Sequence, residues 1–407
     1  MDTSNMEAGR SRIVNVAGHP TVTRPAEQAG GNAEGIARDA ALWKLEHEPL
    51  RTLLDAAGER RDAAHGRVVS YSKKVFIPLT RLCRDYCGYC TFRRDPGEEG
   101  GRFLAAEEVL ALAEAGARAG CREALFSLGD QPERLFPEAA AQLRELGFSR
   151  TLDYLAAMCE LVLQRTGLLP HANPGLLGAQ DLARLRCSNV SAGLMLESSS
   201  ARLLKKGEAH WNAPDKVPSL RLKTLREAGK LPLAFTTGIL IGIGETIEER
   251  VDSLIAIREV HEQFGHIQEV IVQNFRAKAG TRFALLPEPS LEDMLRTVAI
   301  ARLLLPKEIN LQAPPNLSYA EFPRLLEAGI NDWGGISPVT MDFINPEAAW
   351  PEIALLREKT QDRGFELRER LAVYPEFLRR PEYLHENLRP YVHAACDEEG
   401  YARTSRN

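Results

Sequence analysis

The segment Lys74-Val75-Phe76-Ile77-Pro78-Leu79 is followed, after three residues, by Cys83-Arg84-Asp85-Tyr86-Cys87-Gly88-Tyr89-Cys90. The first segment is mostly apolar and predicts a buried strand, whereas the second is polar and loop-like. Parallel α/β proteins carry their chemistry on the loops that leave the carboxyl ends of strands. The two segments together therefore predict an α/β fold with a functional loop at the end of this strand.

Three thiols lie within this loop, at the spacing C-x3-C-x2-C. A loop that folds Cys83, Cys87 and Cys90 round one point suits an iron–sulfur cube, in which three irons take protein sulfur and the fourth stays open. The main alternative is a structural zinc site, but zinc usually takes four ligands in two C-x2-C pairs and the chain has no second pair. Disulfides are disfavoured because seven cysteines is an odd number and the other four are scattered.

Composition limits the classes of function that need to be considered. The 407 residues, 44% hydrophobic and 26% charged, are enough for two domains or for one α/β barrel. A net charge of −5 and the absence of a basic run give no reason to expect nucleic acid or an anionic membrane as a partner. The longest apolar stretch, 231–244, is too short to span a bilayer, and we expect no secretory signal. Unpaired cysteines then predict a cytoplasmic location.

Strand and helix patterns alternate along the chain. The predicted strands are 74–79, 123–128, 168–172, 189–196, 234–241, 269–273, 309–312 and 331–333. This alternation predicts a TIM-type (βα) barrel of eight units, with a six-unit partial barrel as the alternative because the last two units are weak. The predicted organisation is a flexible N-terminal extension (1–38), the barrel with a lead-in helix (39–365) and a C-terminal helical tail (366–407).

Polar residues and a glycine follow the predicted strands: Asp130, Asn173, Glu197, Gly242, Asn274, Asn316 and Asp332. In a barrel the carboxyl ends of the strands surround one pocket. We therefore expect these residues to share a pocket, with the cysteine loop on the same face.

The cysteine motif after a first barrel strand, with Tyr89 before the last cysteine, resembles that of the radical-SAM enzymes. This resemblance implies two cofactors, a [4Fe-4S] cluster and S-adenosyl-L-methionine, the second chelated to the open iron through its amino and carboxyl groups. One electron from the cluster would then cleave S-adenosylmethionine to a 5′-deoxyadenosyl radical.

Within that superfamily, residues 71–351 are similar to the 7,8-didemethyl-8-hydroxy-5-deazariboflavin synthase family. The most specific segments are 171–175 (HANPG), 193–197 (GLMLE), 237–246 (TGILIGIGET), 273–278 (QNFRAK) and 331–340 (NDWGGISPVT). One turn differs, because the family has Gly-Glu-Lys-Pro-Glu where this chain has Gly-Asp-Gln-Pro-Glu at 129–133. Asp130 keeps the carboxylate expected to bind the methionyl ammonium, but with a shorter reach.

The resemblance implies further site residues. For S-adenosylmethionine they are Tyr89 at the adenine, Asp130, Glu197 at the ribose hydroxyls, and Gly238, Gly242 and Glu245 of a G-x-I-x-G-x-x-E element. For the substrate they are Asn173, Asn274, Asp332 and Asp342. Alternatives stay open: Tyr89 could simply pack the loop, and glycines at a strand end are more often turns. His171 and His210 could carry protons, although a lone histidine is more often structural, and no catalytic residue is assigned.

The activity implied by the resemblance is that of a radical lyase in deazaflavin coenzyme biosynthesis. It would convert 5-amino-5-(4-hydroxybenzyl)-6-(D-ribitylimino)-5,6-dihydrouracil to 7,8-didemethyl-8-hydroxy-5-deazariboflavin with release of ammonia. The implied partners are this small molecule, a low-potential electron donor and a tyrosine-coupling subunit whose direct docking stays open. The competing hypotheses are the tyrosine-coupling enzyme itself, a non-catalytic iron–sulfur or zinc protein, and a metal-free barrel lyase.

Overall fold

Eight parallel strands form a closed barrel in a computed structural model that describes residues 36–403. The strands are β1 (Val68–Pro78), β2 (Glu123–Ser127), β3 (Leu169–Asn173), β4 (Ser191–Gly193), β5 (Ala234–Ile241), β6 (Ile267–Asn274), β7 (Asn310–Gln312) and β8 (Asp332–Ile336). Each strand pairs with the next, and β1 pairs with both β2 and β8. The prediction of eight units is confirmed, and the six-unit alternative is wrong. The predicted flexible extension lies outside the described residues, apart from its last three positions.

Helices surround the barrel and connect its strands. They are α1 (Arg38–His47), α2 (Leu50–His65), α3 (Ala106–Arg118), α4 (Pro137–Glu145), α5 (Thr151–Thr166), α6 (Ala179–Leu185), α7 (Pro218–Lys230), α8 (Ile247–Phe264), α9 (Leu291–Leu304), α10 (Ile353–Gln361), α11 (Pro375–Leu378) and α12 (Arg389–Ala395). At the start of α8 the Thr246 hydroxyl accepts from the Glu249 amide at 3.2 Å and the Glu249 carboxylate accepts from the Thr246 amide at 2.9 Å, as the sequence predicts. No helix within residues 36–403 is long and apolar enough to cross a membrane.

The C-terminal segment differs from the helical tail that the sequence predicts. It begins with a ninth strand, β9 (Glu366–Arg370), which pairs in parallel with the first half of β1, from Val68 to Ser72. The second half of β1 pairs with β2 instead. Strand β9 therefore extends the sheet below the barrel, at the end opposite the cysteine loop, and short helices follow it.

A buried ion-pair network at this lower end fixes the position of Asp332. The Arg370 guanidinium donates to Asp332 at 2.7 Å and to Glu269 at 3.1 Å, and the Tyr374 hydroxyl donates to Glu269 at 2.9 Å. Asp332 is the first residue of β8 and is fully buried. The prediction that Asp332 follows a strand at the mouth of the barrel is therefore wrong, because β8 begins where the sequence analysis expected it to end.

Candidate active site

The three cysteines lie on the loop between β1 and α3, where each is half-buried and free of disulfides. The backbone amides of Asp85 and Asp130 donate to the Cys83 sulfur at 3.4 and 3.2 Å. Burial raises the pKa of the Cys83 and Cys87 thiols well above the ordinary value. Thiols in such a setting ionise when a metal replaces the proton, and amide donors to sulfur are the usual support of an iron-bound thiolate. This donor set fits a cluster held by three cysteines.

The spacing of the three sulfurs favours a cluster over a single zinc ion. Ligands of one tetrahedral zinc ion lie at about 2.3 Å from the metal, so their sulfurs come within about 4 Å of one another. Among the described residues, the groups whose ligand atoms all lie within 4.8 Å of one another do not include the three cysteines. A cube of iron and sulfide, which holds its cysteines farther apart, suits this loop better.

Glu197 follows β4 and brings three side chains together beside the cysteine loop. Its carboxylate accepts from the Tyr89 hydroxyl and the Lys216 ammonium, and lies 3.2 Å from His210 Nε2. Burial acts to raise the pKa of Glu197, but Lys216, His210 and Arg221 outweigh it and hold that pKa well below its ordinary value. The ionised carboxylate therefore anchors Tyr89 next to the last cysteine, and two of the predicted cofactor residues are in direct contact.

A cavity, here called the upper cavity, opens between the cysteine loop and the strand ends. Its wall includes all three cysteines and four predicted site residues: Tyr89, Asp130, Asn173 and Glu197. Three cationic side chains that the sequence analysis did not select, Arg93, Lys216 and Arg221, also line it. Strong charges of both signs around the thiols suit a zwitterionic ligand, in which one end carries an ammonium and a carboxylate.

Asp130 is buried in the wall of this upper cavity. Its carboxylate accepts from the Leu176 amide at 3.0 Å, and Gly175 leaves the space beside it, since a Cβ there would lie 2.0 Å from Asp130 Oδ2. Burial, with Asp215 and Asp85 adding repulsion, raises the pKa of Asp130 to about 7. A cationic group placed here would lower that pKa again and would itself be bound tightly.

A second space, the lower cavity, occupies the barrel lumen and is lined by residues of all eight barrel strands. The two cavities share five lining residues: Ser127, Asn173, Leu194, Met195 and Ile344. The lower wall is polar, with Lys74, Glu123, His171, Gln273 and Asp342 among its residues. A ligand in the lumen would therefore lie directly beside one bound at the cysteine loop.

Of the predicted cofactor residues, Gly238 lies within β5, and Gly242 and Glu245 lie in the turn that follows it. Within residues 36–403, none of these three lines either cavity. Gly238 has no room for a side chain, because a Cβ would lie 2.1 Å from the Ile271 carbonyl oxygen. Gly242 has a φ of 87°, and the Glu245 carboxylate accepts from the Gly242 amide at 2.8 Å and from Arg250 at 2.9 Å. These contacts build the turn, and a direct role in cofactor binding stays a prediction.

Among the predicted substrate residues, some line a cavity and others do not. Asn173 lines both cavities, and Asp342 lines the lower one, where it accepts from Asn316 at 3.0 Å and from Asn345 at 3.1 Å. Asn274 is buried behind the wall and donates to the Leu317 carbonyl at 3.1 Å. The sequence analysis missed Lys74, although a lysine inside an otherwise apolar strand was a usable signal.

Comparison with known proteins gives three kinds of match. Residues 77–257 match the Radical SAM superfamily. Over 336 residues the chain is 52% identical to 7,8-didemethyl-8-hydroxy-5-deazariboflavin synthase of Methanopyrus kandleri, covering 83% of this chain and 100% of that one. It is 48% identical over 379 residues to FO synthase of Streptomyces avermitilis, covering 89% of this chain but only 44% of that longer protein.

Solved structures show the same fold at low sequence identity. Methylornithine synthase (PylB) gives a TM-score of 0.64 at 20% identity, over 81% of this chain and 94% of that one. The FeFe-hydrogenase maturase HydG from Carboxydothermus hydrogenoformans gives a TM-score of 0.67 at 18% identity, over 89% of this chain and 86% of that one. Radical SAM enzymes use a [4Fe-4S] cluster and S-adenosylmethionine, and this chain carries their cysteine triad. The chain therefore belongs to the radical SAM superfamily and, within it, to the family of 7,8-didemethyl-8-hydroxy-5-deazariboflavin synthases.

Proposed function

We propose that the chain is a cytoplasmic radical-SAM carbon–nitrogen lyase that forms 7,8-didemethyl-8-hydroxy-5-deazariboflavin. Its substrate would be 5-amino-5-(4-hydroxybenzyl)-6-(D-ribitylimino)-5,6-dihydrouracil, and ammonia would be released. The observation that carries this proposal is the continuity of the two cavities: a charged one at the cysteine loop and a polar one in the lumen share five wall residues. The family match supports the choice of substrate.

The residues of the upper cavity would hold the cofactors. Cys83, Cys87 and Cys90 would ligate the cluster, and Asp130 would bind the methionyl ammonium. When bound, the cluster and S-adenosylmethionine supply abstraction of a hydrogen atom from the substrate. Glu197, already ionised, would accept from the ribose hydroxyls while it holds Tyr89 against the adenine.

The residues of the lower cavity would hold the substrate. A uracil ring and a ribityl chain carry many hydrogen-bonding groups, and the polar lumen offers donors and acceptors of both kinds. Asn173, at the junction of the cavities, would bind the part of the substrate nearest the cofactor, and Asp342 the part deeper in the barrel. Enclosure by the barrel keeps water away from a reactive carbon radical. No part in substrate binding is proposed for Asp332, which Arg370 already engages.

We assign the tyrosine-coupling step to a separate partner, and the required electron to a low-potential donor. The chain spans less than half of the FO synthases that it matches, which leaves room for a second activity in those longer proteins. If this assignment is correct, the chain should not consume free tyrosine.

An anaerobic assay tests the proposal. The protein is reconstituted with iron and sulfide and given S-adenosylmethionine, a reductant and the tyrosine–uracil adduct, and 5′-deoxyadenosine, ammonia and fluorescent deazaflavin are measured. We expect all three products from the wild type. Cys87→Ala should show neither cluster absorbance nor deoxyadenosine. Cys187→Ala, at an exposed cysteine, is the matched control and should behave as the wild type does. Deoxyadenosine without deazaflavin would show that the substrate is wrong, and consumption of free tyrosine would favour the coupling enzyme instead.

A further inference from the structure

Lys74 lies on β1 with its side chain in the wall of the lower cavity, and only 8% of the residue is exposed. Gly335 makes the space for it, since a Cβ there would lie 2.3 Å from Lys74 Cδ and 2.8 Å from Nζ. The ammonium lies over the Trp350 ring, 4.7 Å from its centre. Among the described residues, none makes a hydrogen bond to Nζ or an ion pair within 4 Å of it. A buried amine of this kind is costly unless a ligand completes its contacts.

The charged and titratable groups that face Lys74 are engaged by other residues. They come from five elements: Glu123 on β2, His171 on β3, Glu269 on β6, Asp342 after β8 and Arg370 on β9. The Glu123 carboxylate accepts from the Ser72 hydroxyl, and Glu269 binds Arg370. Burial lowers the pKa of Lys74, although Glu123, Asp342 and Glu269 oppose that effect. The amine therefore exchanges its proton more readily than an exposed lysine.

His171, the other titratable base in the lumen, is set up differently. The Ser191 hydroxyl donates to the Ala372 carbonyl at 2.6 Å, so at 2.7 Å it accepts from His171 Nδ1–H. This leaves the lone pair on Nε2, which lies 3.1 Å from where a Cβ of Gly193 would stand in the cavity wall. Burial lowers the pKa of His171 to about 4, so the ring is neutral at ordinary pH. His171 can accept a hydrogen bond from a substrate but cannot supply a proton.

We propose that Lys74 is the proton-transfer residue for the release of ammonia, an inference that rests on the proposed function. An amino group cannot leave as an anion, so its nitrogen must first be protonated, and the Lys74 ammonium supplies that proton. The carbon–nitrogen bond then breaks, its electron pair stays on nitrogen, and ammonia departs. The substrate gives up one proton from a neighbouring N–H or C–H, whose electron pair forms the new double bond. The neutral Lys74 amine takes this proton, so the enzyme is restored and the substrate has lost one NH3 with no change in oxidation state.

The test compares Lys74→Met and Lys74→Arg with the wild type in the reconstituted enzyme. Methionine keeps the length without a proton, and arginine keeps the charge but does not give up its proton. We expect both variants to form 5′-deoxyadenosine at the wild-type rate, while the kcat for ammonia and deazaflavin falls by about 10²–10⁴-fold, the usual contribution of acid–base catalysis. Lys73→Met is the matched control, because Lys73 borders a different cavity and should leave both rates unchanged.

Two further measurements separate proton transfer from a structural role. Binding of the fluorescent deazaflavin, read as quenching without turnover, should persist in both variants and so report an intact lumen. Added methylamine should restore deazaflavin formation in Lys74→Ala, with a pH dependence that follows the pKa of the added amine. Full deazaflavin formation by Lys74→Arg or Lys74→Met would overturn the inference. A wild-type enzyme that makes deoxyadenosine but no ammonia would instead overturn the proposed function, and the inference with it.

Discussion

At the scale of single residues, Glu197 shows how one side chain organises the cofactor side of the site. It has a φ of 63°, unusual for a residue other than glycine, and it binds Tyr89, Lys216 and His210 at once. Glu197 could be selected from the sequence because it directly follows the predicted strand 189–196. Its partner Lys216 could not, because it comes from a polar segment whose residues show no periodicity, and His210 was singled out only as a possible proton carrier.

Replacing Glu197 by glutamine should break this arrangement. The change removes the charge that balances the buried Lys216 ammonium, so we expect a free energy of unfolding lower by about 3–5 kcal/mol. We also expect formation of 5′-deoxyadenosine to fall at least about tenfold, which corresponds to a loss of ~1.4 kcal/mol in binding, while the visible absorbance of the cluster persists. Urea unfolding and product analysis measure the two effects. Glu227→Gln on α7 is the control, because Glu227 is half-buried and pairs with the exposed Lys230. Values for Glu197→Gln that match those of this control would contradict the role given to Glu197.

At the scale of elements, β9 is the clearest difference between prediction and structure. Its sequence, Glu-Leu-Arg-Glu-Arg, is charged and carries no apolar alternation, so it does not predict a strand. It forms because the first half of β1 lacks a partner on one side, and because Arg370 neutralises Glu269 and Asp332 inside the barrel. By contrast α8, with a capping box and a regular apolar face, was predictable from local sequence alone.

Arg370→Met should destabilise the barrel strongly. It leaves two buried carboxylates without their cation, so we expect the free energy of unfolding to fall by about 3–5 kcal/mol. Arg368→Met on the same strand is the control, because Arg368 pairs with Asp397 and Glu399 near solvent and should cost about 1 kcal/mol or less. Urea unfolding of the two variants side by side measures the difference. Equal costs would show that the network under the barrel contributes little.

At the scale of the whole molecule, stability should depend on pH through its buried histidines. His266 is fully buried between Phe235 and Phe264, and burial lowers its pKa to about 3. The unfolded chain binds a proton here below about pH 6.5, which the folded chain does not. The contribution of His266 to stability is therefore complete above that pH and is lost progressively as the pH falls toward 3.

Replacing His266 by phenylalanine should flatten this dependence. Between pH 7.5 and pH 5 the wild type should lose about 2 kcal/mol more of its free energy of unfolding than the variant does. The reason is that only the unfolded wild type takes up the His266 proton over the roughly 1.5 pH units between pH 6.5 and pH 5. Urea unfolding at the two pH values gives both numbers. The same replacement of the exposed His393 should not alter the pH dependence, and a wild-type slope that survives in His266→Phe would contradict the prediction.

The whole barrel was predictable because each βα unit carries its own periodicity and because the cysteine motif marks where the first unit ends. The arrangement of side chains in the lumen was less predictable. Lys74, Glu123 and His171 lie far apart in the chain, and only closure of the sheet brings their side chains to one space. Asp332 was misplaced because the short strand β8 starts at that residue, and a shift of a few residues moves a side chain from the mouth of a barrel to its floor.

The pairing of β9 with β1 has a consequence for the order of synthesis. A ribosome delivers β1 first among the barrel strands and β9 only after the eight strands of the barrel have been made. Until β9 emerges, the carboxylates of Glu269 and Asp332 have no guanidinium between them. A nascent chain that has already closed its barrel thus still has an unneutralised lower end, and the two carboxylates gain their cation only when Arg370 arrives.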